Sequence, residues 1–386
     1  MKTKSISHKV KIQSPAQADY PVTVLLRIRK MSGRFELEVL SDYDLAVGIV
    51  GLTEHDLAAL NCKLQGEMAS IAGEIASGNL AAVSDRAYIQ ALAEVGYYAF
   101  NKIFQDARLA TVRDLLARNQ TMTVQIVTED FFLPWELLYP VDLSRPLDYQ
   151  NFWGMKYIIS RLIASGDHPG TRLPAKVEFA SRPRLGLFFN ESLAHVVAHE
   201  RPFFQRLAAQ HKITLSELRP LNADYKIQEM RAFQGFWDQS FHIVHFACHA
   251  SYEDQSPQDS YMLVSRDFPV TIQDMDVYHL TIDSAPLVVM NACETGNLNP
   301  LYTAHFADAF LRYGARGVVA TDCVVPDAFA AEFAEALYER LLSGKTLGES
   351  LLTVRQQFMK QGNPAGLIYS MYASPAIRFT PKGGKP

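Results

Sequence analysis

"APLVVMNACETG", residues 285–296, is the stretch on which the fold turns. Its apolar run, Leu287 to Met290, has the length and composition of a strand buried on both faces. The run gives way to Asn-Ala-Cys and then to Glu-Thr-Gly. A cysteine at that point has three readings: a small buried hydrophobe, a metal ligand or a nucleophile. A second stretch of the same build, "FHIVHFACHA" (Phe241 to Ala250), leads its strand to His249. Open parallel sheets gather their reactive groups at the carboxyl ends of strands. Two such strands side by side would bring His249 and Cys293 together.

The residue types then assign roles. A thiolate is a strong nucleophile, and an adjacent imidazole generates it at neutral pH. The same imidazole can return the proton to a leaving amine. The backbone N–H groups of Cys293 and Ala250 are the candidate oxyanion donors. Gly296 would let the chain turn sharply after the nucleophile.

Outward from this pair, strand-like and helical stretches alternate. "PRLGLFF" (Pro183 to Phe189), "KITLSEL" (Lys212 to Leu218) and "ARGVVAT" (Ala315 to Thr321) read as further strands. "HVVAHERPFFQRLAAQ" and "YKIQEMRAFQGF" read as helices between them. The alternation predicts an α/β fold, a mainly parallel sheet with helices on both faces. Upstream, "PVTVLLRIR" and "FELEVL" around "KMSGR" predict a hairpin. Leu57, Leu60, Leu64, Met68, Ile71 and Ile75 predict a helix, with a capping box at Thr53 and Asp56 and a stop at Gly78. A second helical region, Asp85 to Arg118, is expected to break near Gly96. Met122 to Thr128 and Met155 to Ile163 read as strands.

Gly and Pro at both ends make Ala164 to Lys176 the best linker and an exposed candidate for self-cleavage. The expected division is an N-terminal α/β region over 1–165, a linker over 166–180, a catalytic unit over 181–380 and a loose tail over 381–386. With 386 residues, 48% apolar and 20% charged, the chain is long enough to bury a full core. A net charge of −4 gives no field to recruit nucleic acid or an acidic membrane. No apolar run is long enough to span a bilayer, and the first residues have no secretory h-region. The four cysteines are too scattered for a disulfide framework, so a cytoplasmic, reducing setting is expected.

"HFACHA", "NACETG", "AFLRYGARGVVAT", "VPD" and the upstream "LPWELLYP" together resemble the CHAT-domain peptidases. These are caspase-like cysteine peptidases related to caspases, gingipains and separase. The resemblance covers Leu133 to Leu352 and implies the caspase–haemoglobinase fold with a dyad of His249 and Cys293. By analogy with separase it also implies a degenerate caspase-like half upstream. "RLGLFFNESLAHVVAHE" resembles the strand and Glu-bearing helix that open the catalytic half of the family. Two positions depart from the pattern. Ala250 stands where the family has Gly, and Asp322-Cys323 stands where it often has Leu-Trp. The departure makes Asp322 and Cys323 candidate substrate-binding residues, with Asp322 favouring a basic P1 residue. The alternative is a surface or helix-capping Asp. Glu294 and Asp259 are the other candidate substrate contacts. Glu253, Asp254, Asp259 and Asp267 form an acidic run that is either a solvated loop or an attractor for a basic segment.

His245, Cys248 and His249 also form H-x-x-C-H, which with Cys293 could be drawn as a zinc site. Cys248 reads as a core thiol, Cys323 as core or pocket wall, and Cys62 as helix packing. Trp135 and Glu136 read as packing between the halves, and Asp327 as a helix cap. The leading function is a cysteine endopeptidase needing no cofactor and no metal. It would act on a protein substrate, with no nucleic-acid or membrane partner, and be gated by an activating partner or sensor. The resemblance implies bacterial defence or programmed death, for instance by cleaving a pore-forming protein. The alternative is a catalytically silent caspase-like scaffold.

Overall fold

The computed structural model describes residues 22–41, 45–78, 86–117, 121–164, 166–253, 256–294, 300–323 and 325–383. Strands β1 (Val24–Met31), β2 (Arg34–Ser41) and β3 (Leu45–Ile49) come first, then helices α1 (Glu54–Ala76), α2 (Arg86–Ile103) and α3 (Ala110–Ala117). β4 (Thr123–Thr128), α4 (Trp153–Lys156), β5 (Ile158–Ile163) and β6 (Lys176–Phe179) follow. The second half runs β7 (Arg184–Phe189), α5 (Arg201–Ala209), β8 (Thr214–Glu217), α6 (Lys226–Trp237) and β9 (Ile243–Ser251). It continues with β10 (Tyr261–Ser265), β11 (Phe268–Thr271), α7 (Ile272–Val277), β12 (Leu287–Glu294), α8 (Pro300–Tyr313) and β13 (Gly317–Thr321). α9 (Asp327–Leu342), α10 (Leu347–Lys360), β14 (Tyr369–Tyr372) and β15 (Arg378–Pro381) complete it.

One sheet has the order β3-β2-β1-β4-β5, with β1, β4 and β5 parallel to one another. A larger sheet has β9 at its centre, paired in parallel with β7 on one side and β12 on the other. β8 extends it beyond β7, and β13 and β14 extend it beyond β12. The hairpin β10-β11 joins the far end of β9. β9, β12 and β13 are the strands expected from "FHIVHFAC", "APLVVMN" and "ARGVVAT".

Strand alternation sorts the larger sheet into two cores. Ile243, Ala247, Leu287, Val289 and Val319 join Phe204 of α5 and Leu337 of α9. Val244, Phe246, Val288, Met290 and Val318 join Phe233 of α6 and Phe310 of α8. Helices therefore cover both faces. The first core continues into the N-terminal half through Trp153, Trp135 and Leu26, with the two indole rings stacked at 6.1 Å. Edge strands β5 and β14 pack together where the sheets meet.

Several expectations need correction. α2 passes unbroken through Gly96, and the chain leaves the helix only after Ile103. The first residues of "MKYIISRLI" belong to α4, and the strand starts at Ile158. The linker is pinned rather than loose. His168 Nε2 lies 2.8 Å from Asp308, Arg316 donates to the Pro174 carbonyl at 2.5 Å, and β6 pairs with β15. That pairing also draws Pro381 of the expected tail into a strand, while residues 384–386 lie outside the described residues. The N-terminal hairpin and the capping box of α1 stand as expected.

Gly96 is where the first helices meet the loop before α4. A Cβ there would lie 2.2 Å from the Leu137 carbonyl oxygen, whereas at Gly66, exposed on α1, it would meet nothing within 4 Å. Gly66→Ala should therefore stabilise the protein by about 0.5–1 kcal/mol, the usual helical gain. Gly96→Ala should cost about 1–3 kcal/mol, because backbone must shift. Urea unfolding of the two variants checks the opposite signs.

Candidate active site

β9 and β12 run parallel and in register, from Ile243 opposite Leu287 to His249 opposite Cys293 and Ala250 opposite Glu294. His245, Ala247 and His249 share the parity of Ile243, and Asn291 and Cys293 share that of Leu287 and Val289. His249 is half-buried. The backbones of Cys293 and Glu294 lie in β12, but their side chains are outside what is described, as are Gly296 and Asp254. β9 does not end at His249 as expected. It runs on to Ser251, and β10 pairs there, with Leu263 opposite His249 and Met262 opposite Ala250. Ala250 thus lies inside the ladder, between Met262 and Glu294.

Behind the two strand ends is a buried polar cluster that the sequence reading missed. Glu200 ends the π-helical turn Val196–Glu200 ahead of α5 and is fully buried. Its Oε1 lies 2.7 Å from His245 Nε2 and accepts from Asn291 Nδ2, also at 2.7 Å. Asn291 Nδ2 donates to the Ala330 carbonyl as well, and its Oδ1 accepts from the Tyr369 hydroxyl at 2.6 Å. The carboxylate can only accept, so Nε2 of His245 carries the proton and Nδ1 accepts from the Tyr338 hydroxyl at 3.0 Å. Burial, and then Glu200, raise the Tyr338 hydroxyl well above its ordinary pKa and keep it a donor. Both ring nitrogens of His245 are committed, which removes it from the H-x-x-C-H zinc reading. Cys248 points into the opposite core, and burial raises its thiol, so it is an inert packing residue.

Asp322 is not on the surface. It is 1% exposed, and its Oδ2 accepts from Arg161 Nη1 at 2.7 Å. Ser370 donates to its Oδ1 at 3.0 Å. Arg161 also binds Glu136, and Arg355 binds the other oxygen of Glu136 at 3.1 Å. Two guanidiniums and two carboxylates thus form a buried chain of ion pairs, Asp322–Arg161–Glu136–Arg355, between β5, β14 and α10. Cys323 packs in the core beside it, its thiol raised by burial. A carboxylate committed to Arg161 is not available to a P1 side chain, and Cys323 is core rather than pocket wall.

Cys62 is exposed on α1 and does not pack. Asp327 is the first residue of α9 and not its cap; Pro326 holds that position, with no side-chain cap bond. There the Asp327 carboxylate still complements the helix dipole. Glu253, Asp259 and Asp267 are exposed, and Asp259 closes the short turn Pro257–Asp259 just beyond β9. Lone charges inside apolar runs ("LPWELL", "IISRLI", "LTVRQQF") were the available signal for Glu136, Arg161 and Arg355.

A model of the CHAT domain matches residues 104–377. The chain belongs to the CHAT family. The match is wider than the stretch from Leu133 to Leu352 that carries the motifs. Among solved structures, a Saccharomyces cerevisiae separase–securin complex at 3.0 Å resolution aligns with a TM-score of 0.52 at 10% identity, over 91% of this chain and 30% of that one. A 2.6 Å structure of the same complex aligns with a TM-score of 0.48 at 10% identity, over 92% and 30%. The CHAT chain thus has a separase-like, caspase-like α/β fold and spans about 30% of the length of the separase chain it matches. Comparison with curated proteins gives no match.

Glu200→Ala should destabilise the protein by about 2–4 kcal/mol, because it strands the buried donors of His245 and Asn291; chemical denaturation measures this. Asp322 gives a pH test. Burial pushes its carboxyl up to about 6 against the opposing pull of Arg161. A raised folded-state value means that the native protein holds this proton more tightly than the unfolded chain. The contribution of Asp322 is then full below about pH 4, the unfolded value, and falls as pH rises through 6. The stability difference between wild type and Asp322→Asn should shrink over that interval and level off above it.

Proposed function

We propose that this CHAT protein is a cysteine endopeptidase with His249 and Cys293 as its dyad. The observation carrying this reading is their in-register placement at the carboxyl ends of adjacent parallel strands. His249 takes the thiol proton, and the thiolate attacks the scissile carbonyl carbon. The tetrahedral intermediate collapses, the C–N bond breaks, and His249 protonates the departing amine. Water then hydrolyses the thioester with His249 as base, releasing the acid and restoring the thiol. Neither a metal nor an organic cofactor is required. Reactive thiol chemistry suits a reducing cytoplasm, where the free Cys62, Cys248 and Cys323 also remain thiols.

The N–H groups of Cys293 and Ala250 are the proposed oxyanion donors. The Ala247 carbonyl faces β7, so alternation turns the Ala250 N–H towards β12, and it becomes free to bind substrate only when β12 shifts from β9 at that end. This supports a gated enzyme, switched on when a protein partner alters that strand end. The solved separase is bound to securin, which supports a protein partner here by analogy. Exposed Asp259 and Glu253, with Glu294 at the end of β12, form the proposed acidic rim for a basic substrate segment. The family resemblance supports a defence or death response, with a pore-forming protein as one substrate class. The continuous ladder also favours a second reading, a silent scaffold whose strands never open.

A peptidyl fluoromethyl ketone should label Cys293 in wild type, and His249→Ala should slow labelling by about 10²–10⁴-fold, the usual worth of a general base. New protein N-termini should appear in cells expressing wild type with its genomic neighbours, and not Cys293→Ala. Labelling that is equal in wild type and His249→Ala, with no new termini, would establish the scaffold.

A further inference from the structure

A cavity of about 460 Å³ opens where the two halves meet, away from the polar cluster behind the dyad. Leu57 and Ala58 of α1 form one wall, and Leu301 and Ala304 of α8 another. Three observations define what fits between them.

The first is an unmet acceptor. Asn61 of α1 lines the cavity and is only 8% exposed. Its Nδ2 donates to the Phe132 carbonyl at 2.9 Å, but its buried Oδ1 has no hydrogen-bond partner among the described residues. An acceptor left so costs about 1–3 kcal/mol. The oxygen is itself sealed from the cavity, so an occupant meets the Asn61 side chain without bonding to it.

The second is charge. The two cations on the wall are already neutralised: Lys30 by Glu54 at 2.6 Å and Arg312 by Asp308 at 2.9 Å. Glu129 and Asp130, just past β4, also line the cavity and form no ion pair with any described residue. Burial lowers the pKa of His305 on the α8 wall, so it adds no positive charge at neutral pH. The cavity offers two carboxylates to a cation.

The third is shape. The acceptors sit among apolar side chains contributed by both halves. A small polyamine would leave those walls wet, whereas a peptide side chain with apolar neighbours would cover them. Lysine and arginine combine an apolar stem with a head that only donates.

We infer that this cavity receives a lysine or arginine side chain, flanked by apolar residues, from a protein partner. The occupant touches α8, the helix that follows β12, and Gln258, in the turn that follows β9. It is therefore bound beside both exits from the proposed dyad strands.

The test uses the full chain carrying Cys293→Ala, which keeps peptides whole, with methyl NMR of Leu57, Ile163 and Leu301. Acetyl-Leu-Arg-Leu-amide should shift these methyls saturably, and the Leu-Gln-Leu analogue should bind at least about 10-fold more weakly, the factor that 1.4 kcal/mol represents. The double variant Glu129→Gln/Asp130→Asn changes exposed residues only and should weaken the arginine peptide several-fold. Equal binding of the arginine and glutamine peptides, tighter binding of spermidine, or shifts that leave these three methyls unmoved would overturn the inference. Because the readout needs no thiol, it stands or falls separately from the proposed peptidase activity.

Discussion

Much of this fold rests on one oxygen atom. Oε1 of Glu200 meets donors from both β9 and β12, the strands that carry His249 and Cys293. Apolar alternation cannot fix the register of two such strands by itself. A slip of two residues would keep every apolar side chain on its proper face. It would also put Val289 or Cys293 where Asn291 now stands and leave Glu200 without its second donor. The penalty for an unpaired buried carboxylate is large enough to exclude that register. The strands must therefore pair so that the histidine and the cysteine fall opposite each other. The cluster extends through Tyr369 to β14 and through Tyr338 to α9, so helices on that face hold the same alignment.

What was legible in the sequence was local. The hairpin, the capping box at Thr53, the apolar stripe of α1 and the three central strands are each written within a few consecutive residues. The pairing of His249 with Cys293 followed because both strands carry these residues at the same end. Cys62 was misjudged although the signal was present, since it falls between Leu60 and Leu64 and faces away from their stripe. Asp322 could not be read this way. It follows a strand and precedes a helix, as a surface residue would, but its partner Arg161 lies 161 residues earlier in the chain. Glu136 and Arg161 each stand alone in an apolar run, which marks them as buried and paired without naming the partner.

That chain of ion pairs decides how the halves sit together. β5 and β14 are edge strands of different sheets, and edges with unmade backbone bonds invite other chains. Arg161 on β5 reaches Asp322 beyond β13, while Glu136 reaches Arg355 on α10. Neither sheet can move along the other without separating a buried ion from its partner, a loss of about 3–5 kcal/mol. The halves therefore act as one rigid support, and a change at their junction can reach the larger sheet.

The same rule of parallel sheets then gives the two halves different tasks. The carboxyl ends of β9 and β12 present His249 and Cys293. The carboxyl ends of β1, β4 and β5 present Arg29 to Met31, Thr128 to Asp130, and Leu162 to Ala164, with neither histidine nor cysteine among them. That edge is not blank: Lys30, Glu129, Asp130 and Ile163 turn it into a wall of the cavity that α8 closes. Where the second half places its chemistry, the first places acceptors and apolar surface, the materials of binding. A half that keeps the same strand-end geometry without a His–Cys pair is well placed to receive a partner for the proposed peptidase half.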